Sequence, residues 1–145
     1  MSQAANCYKL QQNWQKAIDC YLDCVSYCTE EAEHASYLLD AAHAAKKISA
    51  SKYLELGKRA IDAYCLSGRI SSAAGLAKEI AESLEEEYDF EEAVSAYEKA
   101  AELYNMEEQV TQSNSMIIKA SDLRILSRNF NALGASIKVS FILYT

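Results

Sequence analysis

Apolar side chains recur every three or four positions along most of the chain, which is the spacing of one face of an amphipathic α-helix. The stretch DFEEAVSAYEKAAELY, residues 89–104, shows this spacing without a proline or a glycine. The stretch NWQKAIDCYLDCVSYC, residues 13–28, shows it again. Runs of β-branched residues are rare and proline is absent, so the pattern predicts an all-α protein.

Polar residues that favour helix starts divide this pattern into segments. The expected N-caps are Asn13, Thr29, Ser51, Asp89 and Asn105. They predict helices over residues 14–28, 30–47, 52–66, 69–86 and 90–104, after the end of an earlier helix at 2–11. Gly68 stands where a left-handed residue is expected to end a helix. We further expect a helix from Asn105 to about Ser127, and a last one that begins at Asn131.

Pairs of helices repeat along the chain. Trp14 aligns with Phe90, Tyr21 with Tyr97 and Tyr64 with Tyr104. The copies are separated by about 36 to 40 residues, which is typical of stacked helical hairpins, and each hairpin needs its neighbours to bury its apolar stripe. We therefore expect a single helical repeat domain over residues 1–145. Its expected hairpins span about 13–47, 51–87 and 89–128, with partial repeats at both ends.

Small and aromatic residues at the repeated positions are expected in the core of this stack. The small residues that would let helices approach closely are Ala17, Ala41, Ala60, Ala74, Gly75 and Ala93. The aromatic residues that would fill the gaps between layers are Tyr21, Tyr64, Tyr97 and Tyr104. A peptide-binding cage is the alternative for these tyrosines, and core packing is favoured because aromatics at helical spacing are usually buried.

The net charge of −7 argues against general binding to nucleic acid, which requires a basic face. Acidic residues are concentrated at 30–33, 82–92 and 106–109, where most of them would favour helix starts. A local basic patch remains compatible with this charge because the two signs can occupy different faces. The sequence has no apolar run of about 18 residues that would span a membrane.

The five cysteines and two histidines predict neither a metal site nor catalysis. Cys20, Cys24 and Cys28 follow one stripe of one helix, a spacing too long to close a single tetrahedron. A soft-metal site is the alternative for this stripe, and core packing is favoured because free cysteine behaves as a small hydrophobic residue. No catalytic motif occurs, so we expect neither a cofactor nor enzymatic activity.

The ordered motifs of this chain closely resemble those of the soluble NSF attachment proteins, the SNAP adaptors of vesicle fusion, and the alpha type in particular. The resemblance covers roughly residues 4 to 133. It rests on AANCYKLQQNW (4–14), DAAHAAKKISASKYLELGKRAIDAY (40–64), SGRISSAAGLAKEIAESLE (67–85) and FEEAVSAYEKAAELYNMEEQVTQSNSMIIKASDL (90–123). A generic tetratricopeptide protein would match the spacing without this order of motifs.

The resemblance implies an all-α, TPR-like right-handed superhelix of antiparallel helical hairpins. It implies an adaptor that binds the SNARE complex along one face, links it to the hexameric ATPase NSF for disassembly, and works in the cytoplasm, peripherally at membranes. The family's N-terminal hydrophobic loop and C-terminal helical bundle have no match here, so we expect a chain truncated at both ends. SNARE contact is then the better-supported half of the role, and NSF stimulation the weaker half.

The resemblance also implies which basic residues meet the acids of the SNARE bundle. Arg69 and Lys119 match such positions, and Lys9 and Lys47 lie in matching basic neighbourhoods. Lys78 lies one turn from Gly75, where it would substitute for a missing base. Three basic positions of the family are uncharged in this chain, namely Gln12, Gly75 and Ser115. Because each exposed ion pair contributes only about 0–1 kcal/mol, affinity is expected to depend on their sum and on salt.

Two other functions are compatible with the residues alone. A generic TPR-like scaffold with a different helix or peptide partner would explain the repeat and the missing basic positions. An enzyme or metal protein built around Cys20, Cys24 and Cys28 is the least favoured alternative.

Overall fold

The computed structural model describes residues 2–143, apart from the side chains of residues 139–141. These residues form seven α-helices and no strand, which confirms the all-α prediction. The helices are α1 (Ser2–Leu10), α2 (Trp14–Tyr27), α3 (Glu31–Lys46), α4 (Ala50–Leu66), α5 (Ile70–Glu86), α6 (Phe90–Met106) and α7 (Val110–Leu143).

The helix starts reproduce the predicted repeat. Helices α2, α4 and α6 begin at residues 14, 50 and 90, and helices α3, α5 and α7 begin at residues 31, 70 and 110. Tyr21 and Tyr97 therefore stand at the same position, seven residues after the start of α2 and α6. The fold is an all-α arrangement of helical hairpins in which α2 and α6 carry matching small and aromatic residues, whereas α4 has Gly57 at the position of the two tyrosines.

A left-handed residue closes four of the six turns between these helices, at Gln12, Gly68, Tyr88 and Glu108. Each left-handed residue donates its N–H to the carbonyl three positions back, and the next residue donates to the carbonyl five positions back at 2.9 to 3.0 Å. This is the Schellman motif, which satisfies carbonyls at the helix end that would otherwise lack a partner. The residue after the left-handed one then accepts the first hydrogen bond of the following helix, so only three residues reverse the chain.

The predicted left-handed Gly68 is confirmed, with φ of 73°. The predicted cap Asn13 is confirmed too, and its side chain accepts a hydrogen bond from the backbone N–H of Lys16. Asp89 occupies the N-cap position of α6, but its side chain makes no capping hydrogen bond.

Three predicted caps are wrong. The N-caps of α3 and α4 are Glu30 and Ser49, in extended backbone, instead of Thr29 and Ser51. Asn105 lies inside the last turn of α6, because the chain reverses only at the left-handed Glu108 and α7 begins at Val110. Capping propensity alone did not distinguish these residues from polar neighbours one to four positions away.

The predicted break near Ser127 and the new helix at Asn131 are also wrong. Helix α7 runs without interruption from Val110 to Leu143. The chain contains no proline, and Gly134 is tolerated in the helix at a cost of about 1 kcal/mol relative to alanine. Asn131 therefore continues the helix, since no neighbouring residue terminates it.

The chain forms two compact units, one up to Ala77 and one from Lys78 onward. In the first unit α1 packs on α2, α2 on α3 and α3 on α4. In the second unit α6 packs on α7, and the buried Ser113 hydroxyl donates to the carbonyl of Ala101 at 2.9 Å across that pair. Within residues 2–143, a candidate membrane-spanning helix is not found.

Small residues line these helix contacts as predicted, with one exception. The five predicted alanines are fully buried: Ala17, Ala41, Ala60, Ala74 and Ala93. Gly75 was expected to share this role and does not, because it is exposed on α5 and a Cβ there would meet no atom within 4 Å.

Gly68 and Gly75 provide a matched pair for a stability test. Gly68→Ala should lower the free energy of unfolding by about 1 kcal/mol, because alanine is strained at positive φ. Gly75→Ala should raise it by about 0.5–1 kcal/mol, because alanine costs less entropy in an open helical position. Urea unfolding followed by circular dichroism measures both changes, and equal effects of the two variants would contradict the turn assignment.

Candidate partner-binding face

The repeated tyrosines are buried, as the spacing predicted. Tyr21, Tyr64, Tyr97 and Tyr104 each expose 7% of their surface or less. Two of them reach a polar partner with the hydroxyl: Tyr21 donates to Asn6 Oδ1 at 2.9 Å and Tyr97 to Glu85 Oε2 at 2.6 Å. Each ring therefore fills the core while its polar end lies at the edge of the core, which is the usual compromise for buried tyrosine.

A lysine lies over the ring of each of the two equivalent tyrosines. The Nζ of Lys9 is 6.0 Å from the centre of the Tyr21 ring, and the Nζ of Lys119 is 5.6 Å from that of Tyr97. At these distances the ammonium group is attracted to the negative face of the ring. The lysine comes from the preceding helix α1 in the first case and from the following helix α7 in the second.

In the first unit, Lys9 and Arg69 belong to one group of interacting residues, the Asp40 cluster, which also contains Tyr21, Asp40 and Tyr64. Burial raises the pKa of Tyr21, and the carboxylate of Asp40 raises it further. Burial also raises the pKa of Tyr64, the charge of Arg69 lowers it, and Asp40 raises it. Asp40 therefore lies within electrostatic reach of both rings.

In the second unit, Lys78 and Lys119 belong to a similar group, the Glu85 cluster. The Nζ of Lys119 is 3.8 Å from Glu85, and the Nζ of Lys78 is 3.9 Å from Glu82. Burial raises the pKa of Tyr97, and the hydrogen bond to Glu85 and the charge of Glu82 raise it further. The Glu85 cluster therefore consists of Lys78, Glu82, Glu85, Tyr97 and Lys119.

Lys47 joins neither cluster by any contact that the structure shows. It is the exposed C-cap of α3, where its backbone N–H donates to the carbonyl of Ala44 at 3.2 Å. Its neighbour Lys46, which the sequence did not single out, lies 5.1 Å from the centre of the buried Tyr53 ring. The signal for Lys46 was its position at the end of α3, opposite the start of α4, and this becomes evident only once the helix bounds are known.

The two units differ sharply in charge. Residues 1–77 contain eight basic and eight acidic residues, whereas residues 78–145 contain six basic and thirteen acidic ones. The whole net charge of −7 therefore belongs to the second unit. Lys78 and Lys119 lie among carboxylates that offset their charge, so the Asp40 cluster is the better candidate for attracting an acidic partner.

The cysteine stripe of α2 is partly buried. Cys24 is buried, in agreement with core packing, while Cys20 and Cys28 are half-buried free thiols. The Sγ of Cys28 lies 3.4 Å from the carboxylate of Glu33 and 3.4 Å from the carbonyl of Glu30. Residues 2–143 contain no group of three histidine, cysteine or acidic side chains placed to hold a metal ion.

Comparison with protein families identifies a match to the family model described as "Soluble NSF attachment protein, SNAP" over residues 1–136. Among curated proteins, an alpha-soluble NSF attachment protein of Vitis vinifera is 35% identical over 121 residues, covering 81% of this chain and 42% of the relative. The human alpha protein is 29% identical over 133 residues, covering 89% of this chain and 45% of the relative.

A probable vesicular-fusion protein sec17 homolog of Neurospora crassa is 30% identical over 135 residues, covering 90% of this chain and 46% of the relative. The chain thus spans less than half the length of these curated relatives. The matched segment contains both the Asp40 cluster and the Glu85 cluster.

The hydroxyl of Tyr97 provides a test of the Glu85 cluster. Tyr97→Phe should lower the free energy of unfolding at pH 7 by about 1–2 kcal/mol, because a hydrogen bond to a carboxylate is lost. The folded protein holds the Tyr97 proton to higher pH than the unfolded chain, whose tyrosine pKa is about 10. The stabilisation is therefore present below pH 10 and lost as the pH rises, so the Tyr97→Phe variant should show a shallower alkaline decline than the wild type.

Denaturant unfolding between pH 7 and pH 11 measures this effect. Tyr27→Phe is the control, because that ring is exposed and, among the described residues, no hydrogen bond of its hydroxyl is seen. An alkaline decline of unchanged slope in Tyr97→Phe would show that the Tyr97 proton is not held by burial and Glu85.

Proposed function

The chain belongs to the soluble NSF attachment protein (SNAP) family, and on this basis we propose that it is an adaptor that binds SNARE complexes and links them to the NSF ATPase. The observation that carries this proposal is the family match over residues 1–136, which covers every helix up to the distal part of α7. In this role it serves the disassembly of SNARE complexes in vesicle fusion and intracellular protein transport.

The bases proposed to contact the SNARE complex form one set in each unit. Lys9 and Arg69 in the Asp40 cluster are the principal contacts, and Lys119 and Lys78 in the Glu85 cluster add to them. A base that rests on a buried ring loses less conformational freedom on binding than one on an unsupported side chain. Lys47 would contribute only as an exposed charge near the end of α3.

The proposal treats the protein as a binding component and not as an enzyme. The chemistry of disassembly would belong to the partner ATPase, after which the relatives are named. A cytoplasmic location, peripheral at membranes, follows from the same proposal, since SNARE complexes lie there.

Charge removal tests the proposed contacts. The double variant Lys9→Gln/Arg69→Gln should weaken binding to an assembled SNARE four-helix bundle about five- to twentyfold at low ionic strength, because two exposed ion pairs of up to about 1 kcal/mol each are lost. Surface plasmon resonance at several salt concentrations measures the dissociation constant. The wild-type protein should show the steeper salt dependence.

The matched control is Lys58→Gln/Arg59→Gln, which removes one lysine and one arginine from exposed positions of α4 in the same unit. This control should bind within about twofold of the wild type. Equal losses in the two double variants would show that only total charge matters, and a wild-type chain that fails to bind at low salt would overturn the proposed function.

A further inference from the structure

Three aromatic side chains of the second unit line one cavity that the proposed adaptor function does not use. The cavity has a volume of about 410 Å³ and lies where the α5–α6 turn meets the middle of α7. It is lined by three aromatic side chains, Tyr88, Phe90 and Phe130, which we call its walls, and by four polar ones, Asp89, Glu91, Ser127 and Asn131, which we call its rim. We refer to it as the aromatic cavity.

The three rings contact one another along the cavity. The Tyr88 and Phe90 rings are nearly perpendicular, with centres 6.1 Å apart, and the Phe90 and Phe130 rings are tilted by 36°, with centres 5.7 Å apart. Phe130 and Tyr88 expose 53% and 76% of their surface, so much of both rings is open to a ligand. The exposed face of an aromatic ring attracts an organic cation.

The rim and its surroundings carry the opposite charge to such a ligand. Asp89 and Glu91 line the cavity, and within the described part of the chain neither carboxylate forms an ion pair. Residues 78–131, which include every residue that lines the cavity, contain thirteen acidic and five basic residues, so this segment has a net charge of −8 even with Arg128 beside Ser127. This charge attracts a cation and repels the phosphate of a lipid or nucleotide.

We propose that the aromatic cavity binds a lysine side chain, protonated or methylated, from a basic segment of a partner protein. The aromatic walls receive the ammonium group, and Asp89 and Glu91 neutralise its charge at the rim. A neutral apolar side chain would gain nothing from the two carboxylates, and a phospholipid headgroup would bring its phosphate into a negative field. This site is independent of the proposed SNARE contact, whose bases lie in the Asp40 and Glu85 clusters.

The experiment compares a cation with a neutral molecule of the same shape. Choline and 3,3-dimethyl-1-butanol differ by one charged nitrogen, and each is titrated into the full chain labelled with ¹⁵N at constant ionic strength. Choline should shift the backbone amide signals of residues 88–91 and 127–131 in a saturable way, whereas the neutral alcohol should shift them at least fivefold less. A short peptide with trimethyl-lysine should shift the same signals, and phosphocholine should bind more weakly than choline.

Two variants separate the walls from the rim. Phe130→Ala should weaken choline binding about fivefold, because one aromatic face is lost, and circular dichroism checks that loss of this exposed side chain leaves the fold intact. Asp89→Asn/Glu91→Gln keeps all three rings and should weaken choline but not the neutral alcohol. Tyr27→Ala removes an exposed ring from the first unit and should leave binding unchanged.

Each contrary result overturns a defined part of the proposal. Equal shifts with choline and the neutral alcohol, or no saturable shift with choline, would exclude a cation site. Binding of phosphocholine without binding of the trimethyl-lysine peptide would exclude a protein side chain as the occupant. Failure of SNARE binding in the separate assay would leave these outcomes unaffected.

Discussion

Close packing of paired helices through buried alanines is the constraint on which the rest of this structure depends. Ala17, Ala60 and Ala93 are fully buried at the contact faces of α2, α4 and α6. A larger side chain at such a position would cost about 1–3 kcal/mol by overpacking. Because the helices approach closely at the alanines, the gaps that remain take large rings, and tyrosine fills them.

Those tyrosines connect the core to the charged surface. A phenylalanine would fill the same volume, but only tyrosine reaches a polar group at the core edge, as Tyr21 reaches Asn6 and Tyr97 reaches Glu85. Glu85, which accepts the hydrogen bond of the Tyr97 hydroxyl, also lies 3.8 Å from the Nζ of Lys119 and partly neutralises it. Packing and surface electrostatics are therefore coupled, and the second unit has the weaker attraction for an acidic partner even though a lysine also lies over its Tyr97 ring.

The conformation of the turns depends both on local residue preferences and on how the adjoining helices pack. Gly68 was recognisable because glycine tolerates positive φ without strain. Gln12, Tyr88 and Glu108 adopt the same conformation without any such signal, because the packing of the adjoining helices compensates for a strain of about 1–2 kcal/mol per residue. Helix α7 begins at Val110, later than the predicted cap Asn105, and it continues through the predicted break at Asn131. In both places the hydrogen bonds of a continuing helix outweigh capping propensity.

The sequence by itself determined the helix periodicity, the repeat length, the buried alanines and tyrosines, and membership in the family, because these depend on residue types at regular spacing. Only the tertiary structure decided which bases share a cluster, that Lys46 and not Lys47 lies over a ring, and that Tyr88, Phe90 and Phe130 line one cavity. These groupings join residues up to 60 positions apart, as Lys9 and Arg69 are. Their distances depend on how helices pack, and packing is a property of the whole fold that no local pattern encodes.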